Sequence, residues 1–191
     1  LISADPENGY FQYYAITEKA YDREKCQISI FPKDKDVIIN KEAFYIFPGT
    51  PDSVTSIKGE LVFAGYGIND EANDYNDLEG LDLSGKIVMI MDRAPMNEDG
   101  TEMQFDHEKW SSMQNFQYKM RDIMMQGPKA VLLVFDPKCG FNSLEEKFPQ
   151  IVNFLESSKS LKSDEEDSQS MQGRPQMLII HRDVADLLLG T

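Results

Sequence analysis

Three apolar runs of the chain each end in a residue able to move a proton or hold a cation. Ile87-Val88-Met89-Ile90-Met91 leads into Asp92, Ala130-Val131-Leu132-Leu133-Val134-Phe135 into Asp136, and Met177-Leu178-Ile179-Ile180 into His181. If these runs are parallel strands of one sheet, the three side chains lie just past its carboxyl ends, where open α/β sheets place ligands and catalytic groups. Two carboxylates and an imidazole would suit a small α/β hydrolase or a metal enzyme. The competing account is plain: polar residues follow buried strands because the chain is reaching solvent.

Other motifs fail on their own chemistry. Gly80-Leu81-Asp82-Leu83-Ser84-Gly85-Lys86 has the spacing of a phosphate-binding loop, but Ile87 stands where a hydroxyl should reach magnesium. Lys86 also opens a strand, not a helix whose amides face an anion, so a turn delivering the chain into a central strand is expected. Gly65-Tyr66-Gly67 begins a dinucleotide fingerprint, yet Asp70 replaces its third glycine and no helix follows, which points to backbone crowding or a bulge. Read as a calcium loop from Asp70, the acidic turn has Tyr75 where glycine is required and Leu81 where glutamate is required. The whole chain holds two histidines, His107 and His181, few for a zinc centre, and Asp106-His107-Glu108 would diverge on a helix. There is no Gly-x-Ser-x-Gly elbow and no Cys-x-x-Cys pair. Cys26 and Cys139 allow one disulfide at most, and two separate buried thiols are expected.

The elements that must position these residues follow from composition and periodicity. With 191 residues, 41% of them hydrophobic, the chain can bury a real core. Nineteen basic against 33 acidic residues give a net charge of -14, which repels phosphate backbones and anionic lipid, so nucleic acid is not an expected partner. No run approaches the roughly 20 apolar residues of a membrane span, and Leu1-Ile2-Ser3-Ala4-Asp5 lacks the parts of a signal peptide. A start without Met and a stop after an apolar helix suggest a piece of a longer protein. The first third reads as short antiparallel strands at 10–16, 26–31, 37–39 and 43–47, rich in aromatic and β-branched residues. A helix is expected from Asp106 as N-cap, its stripe Trp110, Met113, Phe116, Met120, Ile123 and Met124 facing a sheet, ended by Gly127 and Pro128. Residues 144–155 read as a helix, 157–172 as a polar surface loop, and 183–189 as a short helix capped by Gly190.

Residues 60–95 resemble a protease-associated domain, the module inserted in many secreted zinc aminopeptidases and in some sorting and transferrin-type receptors. The resemblance rests on Leu61-Val62-Phe63-Ala64-Gly65-Tyr66-Gly67-Ile68, on Asp74-Tyr75, and on Asp82-Leu83-Ser84-Gly85-Lys86-Ile87-Val88-Met89-Ile90. Residues 120–136 resemble the family's helix, glycine turn and strand ending in Asp-Pro, and 177–190 its last strand and helix. Asn8-Gly9-Tyr10-Phe11-Gln12 is similar to the segment by which such aminopeptidases enter the insert, which favours a peptidase parent over a receptor. The chain departs from the family at Pro128, where Ala is commoner, and in the long polar insertion 157–172.

The resemblance implies an α/β, swivelling β/β/α fold, antiparallel strands followed by a small parallel sheet with helices. Residues 1–20 would be a connecting strand segment from the catalytic-domain side, and 21–191 the protease-associated domain, with 158–173 a mobile loop. It implies a non-catalytic accessory role in an exported, hence periplasmic, cell-surface or secreted, zinc aminopeptidase. The partners would be its own catalytic peptidase domain and a peptide or protein substrate. The cofactor would be zinc in that catalytic domain, with no zinc ligand mapping onto this chain. Tyr66, Asp74, Tyr75 and Trp110 are the candidate contacts with partner or substrate cleft, against ordinary packing for each. Two other readings stay open: the enzyme built on Asp92, Asp136 and His181, and a free-standing protein- or glycan-binding module suggested by the aromatic-rich first third.

Overall fold

The computed structural model describes residues 16–20, 22–30, 37–47, 56–102, 104, 110, 113–161 and 175–190. In chain order they form β1 (Ile16–Ala20), β2 (Ile28–Ile30), β3 (Val37–Ile39), β4 (Phe44–Ile46), β5 (Leu61–Phe63), β6 (Asn69–Asp70), β7 (Tyr75–Asn76) and β8 (Ile87–Met91). There follow α1 (Met113–Met124), β9 (Ala130–Val134), α2 (Leu144–Lys147), α3 (Pro149–Glu156), β10 (Ser157–Leu161), β11 (Gln176–Ile180) and α4 (Arg182–Leu189).

A five-stranded mixed sheet in the order β4-β11-β9-β8-β5 organises the α/β fold. The four strands from β5 to β11 are parallel, and β4 runs antiparallel on the edge beside β11. The two-faced apolar runs occupy the centre, as strands covered on both sides must. Val88, Ile90, Val131, Leu133, Met177 and Ile179 point to one face, where Met120 and Ile123 of α1, Leu144 of α2 and Leu155 of α3 pack on them. Met89, Leu132, Val134 and Ile180 point to the other, against Val184 and Ala185 of α4 and Ile39 of β3. The period of two along each strand thus loads two cores from one sheet.

Several expectations hold. Strands β2 and β3 pair antiparallel, with Ile28 opposite Ile39. The phosphate-loop look-alike is a turn that enters β8, Lys86 immediately preceding the strand. Gly190 caps α4, its N–H donating to Asp186 O at 2.9 Å. Cys26 and Cys139 are not joined to each other, though both are half-buried rather than buried. No helix among the described residues is long and apolar enough to cross a membrane.

Other expectations change. The stretch 144–155 is two helices, because Phe148 leaves helical geometry (φ -139°, ψ 62°) and Pro149, with no N–H to give, opens the second. The polar tract does not begin as a loop: β10 pairs antiparallel with β1, Ala20 opposite Ser157 and Ile16 opposite Leu161. A two-stranded ladder is made by backbone groups, so a tract without an apolar face can still form one. Residues 162–174, the strand expectation at 10–15, Asp106 and His107 lie outside the described residues.

The Gly65-Tyr66-Gly67 step after β5 is a crowded turn, with φ +50° at Gly65 and +66° at Gly67 and a Gly67 N–H to Ala64 O bond of 2.7 Å. A Cβ at Gly67 would lie 2.7 Å from Ile123 Cδ1 in the core, whereas one at Gly80 (φ +73°) would meet nothing within 4 Å. Gly80→Ala should therefore show only the backbone strain of about 1 kcal/mol, and Gly67→Ala roughly 2–3 kcal/mol, in urea unfolding followed by circular dichroism.

Candidate functional site

The carboxyl ends of β8 and β9 do bring two of the three strand-end groups together. Asp92 and Asp136 are buried, 8% and 1% exposed. Asp92 Oδ1 accepts the backbone N–H of Asp136 at 2.8 Å, and Asp92 Oδ2 accepts Lys147 Nζ of α2 at 2.7 Å, with Arg93 Nε 3.6 Å away. Lys147 also sits 4.5 Å from the centre of the Phe135 ring, a cation on an aromatic face. Asp136 Oδ2 accepts the Tyr66 hydroxyl at 2.7 Å, and Oδ1 accepts the N–H of Lys138, capping the short 3-10 turn Pro137–Cys139. Burial first, and then the bond to Asp136, push the Tyr66 phenol far above its ordinary value, so it stays protonated and donating.

His181 goes elsewhere. Its backbone N–H donates to Ala43 O, drawing it toward the β4 side, and its Nε2 lies 3.1 Å from Glu145 Oε2. Glu145 Oε1 in turn accepts the Tyr45 hydroxyl. The strand-end trio therefore does not converge, and among the described residues no group of three or more His, Cys, Asp and Glu is placed to hold a metal.

Around the two aspartates, cations are aimed at backbone carbonyls at the strand ends and in the loops that follow them. Lys119 is 3% exposed and donates to Met91 O at 3.1 Å and Arg93 O at 2.9 Å. Lys138 Nζ reaches Met96 O and Asn97 O, and Arg182 reaches Phe135 O, Asp136 O and Phe141 O at 2.8–3.0 Å. Burial lowers the Lys119 pKa to about 8, against the opposing pull of Asp92 and Asp77. Arg93, next along from Asp92, holds a left-handed φ of 58°.

A second polar hub lies beside the Gly65 turn. Asp77 Oδ2 accepts the N–H groups of Tyr66 at 3.0 Å and Ile68 at 3.2 Å, while its Oδ1 accepts the Tyr75 hydroxyl at 2.7 Å. Burial, then the bond to Asp77, raise the Tyr75 phenol well above its usual value. Buried Asp70 accepts Trp110 Nε1 at 2.9 Å and Ala72 N–H at 3.2 Å. Of the four candidate contact residues, Tyr66, Tyr75 and Trp110 are thus packed with Ile68 and Ala94 in one aromatic cluster, Trp110 only 8% exposed. Asp74 alone stands fully on the surface, at φ 50° where the chain leaves a 3-10 turn.

Sequence reasoning passed over Lys119, Lys147 and Asp77. Lys119 carried a signal: it falls between Phe116, Met120 and Ile123 on the helix's inward stripe, where a lysine must find carbonyls or carboxylates. No family model, curated protein or solved structure matches the chain.

Removing the partner of a buried carboxylate costs more than the pair itself contributes. Lys147→Met should therefore lower unfolding stability by about 3 kcal/mol, and Asp92→Asn with Lys147→Met should recover part of that loss in a double-mutant cycle. Lys119 gives a second test. Its folded pKa lies below its unfolded value of 10.5, so the unfolded chain binds more protons between the two and stability rises with pH there. Urea midpoints should climb from pH 8 to 9.5, below tyrosine ionisation, and Lys119→Met should flatten that climb.

Proposed function

We propose that this chain is the protease-associated domain of an exported zinc aminopeptidase, a non-catalytic scaffold that packs beside the peptidase domain and limits which peptides reach it. The sequence resemblance supports the family reading. Its segments coincide with β5 and the glycine turn, with β8, with α1 and β9, and with β11 and α4. The observation that carries the non-catalytic reading is the engagement of Asp92 and Asp136. Each oxygen of both carboxylates already accepts a bond from Lys147, Tyr66 or a backbone N–H, which suits groups that brace loops better than groups that take protons from a substrate.

On this reading the contact with the peptidase domain or its peptide comes from exposed loops rather than from Trp110, which is buried, with Tyr66 and Tyr75 half-buried beside it. The acidic turn carrying Asp74 is the first such loop. In the parent peptidase, Asp74→Asn should change KM or kcat with stability shifted by less than about 0.5 kcal/mol. Trp110→Ala should instead lower stability by about 3 kcal/mol. The chain alone, supplied with zinc, should turn over no aminoacyl chromogenic substrate. Turnover lost on Asp92→Asn or Asp136→Asn would instead establish the hydrolase.

A further inference from the structure

Arg93, just past the end of β8, is a cation whose Nε the fold leaves without an acceptor. Lys119 and Lys147 donate to carbonyls or to Asp92. Arg93 Nε is buried and has no hydrogen-bond partner among the described residues. Asp92 Oδ2, 3.6 Å away, is beyond hydrogen-bond reach and already accepts Lys147 at 2.7 Å. The Arg93 side chain as a whole is 30% exposed, so a solute can reach it. Arg182 Nε also lacks a partner, but that guanidinium is fastened to three carbonyls through its amino group. The backbone supplies a second, independent observation. At φ +58° Arg93 is left-handed, a conformation in which a side chain is strained and glycine is not. Such strain persists only where the surroundings over-determine it. Here Lys119 Nζ holds Met91 O at 3.1 Å and Arg93 O at 2.9 Å, on either side of Asp92, and Ala94 and Pro95 beyond are buried. Glycine would take this position with less strain, so what arginine adds is its side chain.

We propose that Arg93 is an anion-binding residue, its guanidinium held at the carboxyl end of β8 to take one carboxylate from a ligand. The local charge allows this. Asp92 faces Lys147 in direct contact, Arg93 at 3.6 Å and the Lys119 ammonium, so even with Asp136 beside it the cations here outnumber the carboxylates, in a chain whose total is -14. A guanidinium and a carboxylate match as two parallel charge-assisted N–H···O bonds, a geometry that lysine cannot offer. A single negative charge suits the place better than a phosphate dianion, because the second charge meets both Asp92 and Asp136 and the repulsion of the whole chain. The carboxylate of a peptide chain end and that of an acidic side chain share this chemistry. The inference concerns Arg93 alone and stands whether or not the chain belongs to a peptidase.

The test is a proton–nitrogen NMR titration of the intact chain, read at the backbone N–H groups of residues 92–94 and at the Arg93 Nε–H. Three probes are used: acetyl-trialanine with a free carboxylate, the same peptide amidated, and an amidated peptide with one internal glutamate. The free carboxylate should bind with a Kd on the order of 1–10 mM, more weakly in about 0.5 M salt, and the plain amide should shift nothing. If the glutamate peptide binds as well, an acidic side chain is a sufficient source; if it does not, the site takes a chain end. Arg93→Lys keeps the charge without the fork and should weaken binding about three- to ten-fold, and Arg93→Gln by more than about ten-fold. Arg93→Gly should lose binding with an unchanged or higher urea midpoint, since glycine takes the left-handed backbone without strain. Arg121→Gln, which removes a largely exposed guanidinium of α1, should bind like the wild type. No shift with either carboxylate peptide, equal shifts with the plain amide, or affinity retained in Arg93→Gln or Arg93→Gly would overturn the proposal.

Discussion

Two carboxylates buried at the ends of adjacent parallel strands have to be compensated, and most of what covers that edge of the sheet follows from how this is done. An isolated carboxylate in an apolar setting is unfavourable by several kcal/mol, enough to cancel much of a domain's net stability. Asp92 escapes that through Lys147 and the N–H of Asp136, and Asp136 through Tyr66 and the N–H of Lys138. The pair therefore ties together β8, β9, α2 and the glycine turn after β5. A substitution at any of them is felt at the others, because each oxygen carries a bond to one of these elements, with Arg93 Nε, 3.6 Å from Asp92 Oδ2, as a further nearby donor.

The same edge exposes the backbone's own deficit. Strands that stop together leave a row of carbonyls without ladder partners, and those groups must be satisfied before the edge can be dry. Lys119 does this for Met91 O and Arg182 for Phe135 O, while Lys138 reaches Met96 O in the loop beyond β8. A lysine is suited to the first position, since its long stem crosses the apolar core while its ammonium reaches two carbonyls at once. The lowered pKa of Lys119 is the consequence: carbonyl dipoles and two aspartates offset only part of its lost hydration.

How far this was legible in the sequence differs by element. β8, β9 and β11 declare themselves as apolar on both faces, and α4 by its period and terminal glycine. The break after Lys147 was also written locally, in Pro149. What local pattern cannot express is which distant edge a strand joins. β4 lies beside the last strand across more than a hundred residues, and the His181 N–H bonds Ala43 O just ahead of it. The rule that reactive groups gather at strand ends found the right edge of the sheet, but it presumes parallel neighbours on both sides of each strand. Tyr66, Tyr75 and Trp110 show another thing that local pattern does not express, the partner each one bonds. Aromatic residues at loop junctions suggest contact surface, yet each carries one donor, and Asp136, Asp77 and Asp70 lie within reach. With its donor satisfied, an aromatic ring gains more from burial than from exposure.

These choices also set the character of the outer surface. Lys119, Lys147 and Arg182 direct donors to carbonyls or to Asp92, while Glu71, Asp74, Glu79, Asp82, Glu98 and Asp99 remain exposed. The total charge is unchanged by this arrangement, but the hydrogen-bonding groups on offer are not. Donors that hold carbonyls inside the fold cannot be lent to a partner without opening the edge they close. The loops beside the aromatic cluster therefore present mainly acceptors, and a surface that docks there has to bring the donors itself, as arginine and lysine side chains or free backbone N–H groups. A strongly acidic partner would face both the long-range repulsion of a net charge of -14 and a local shortage of donors.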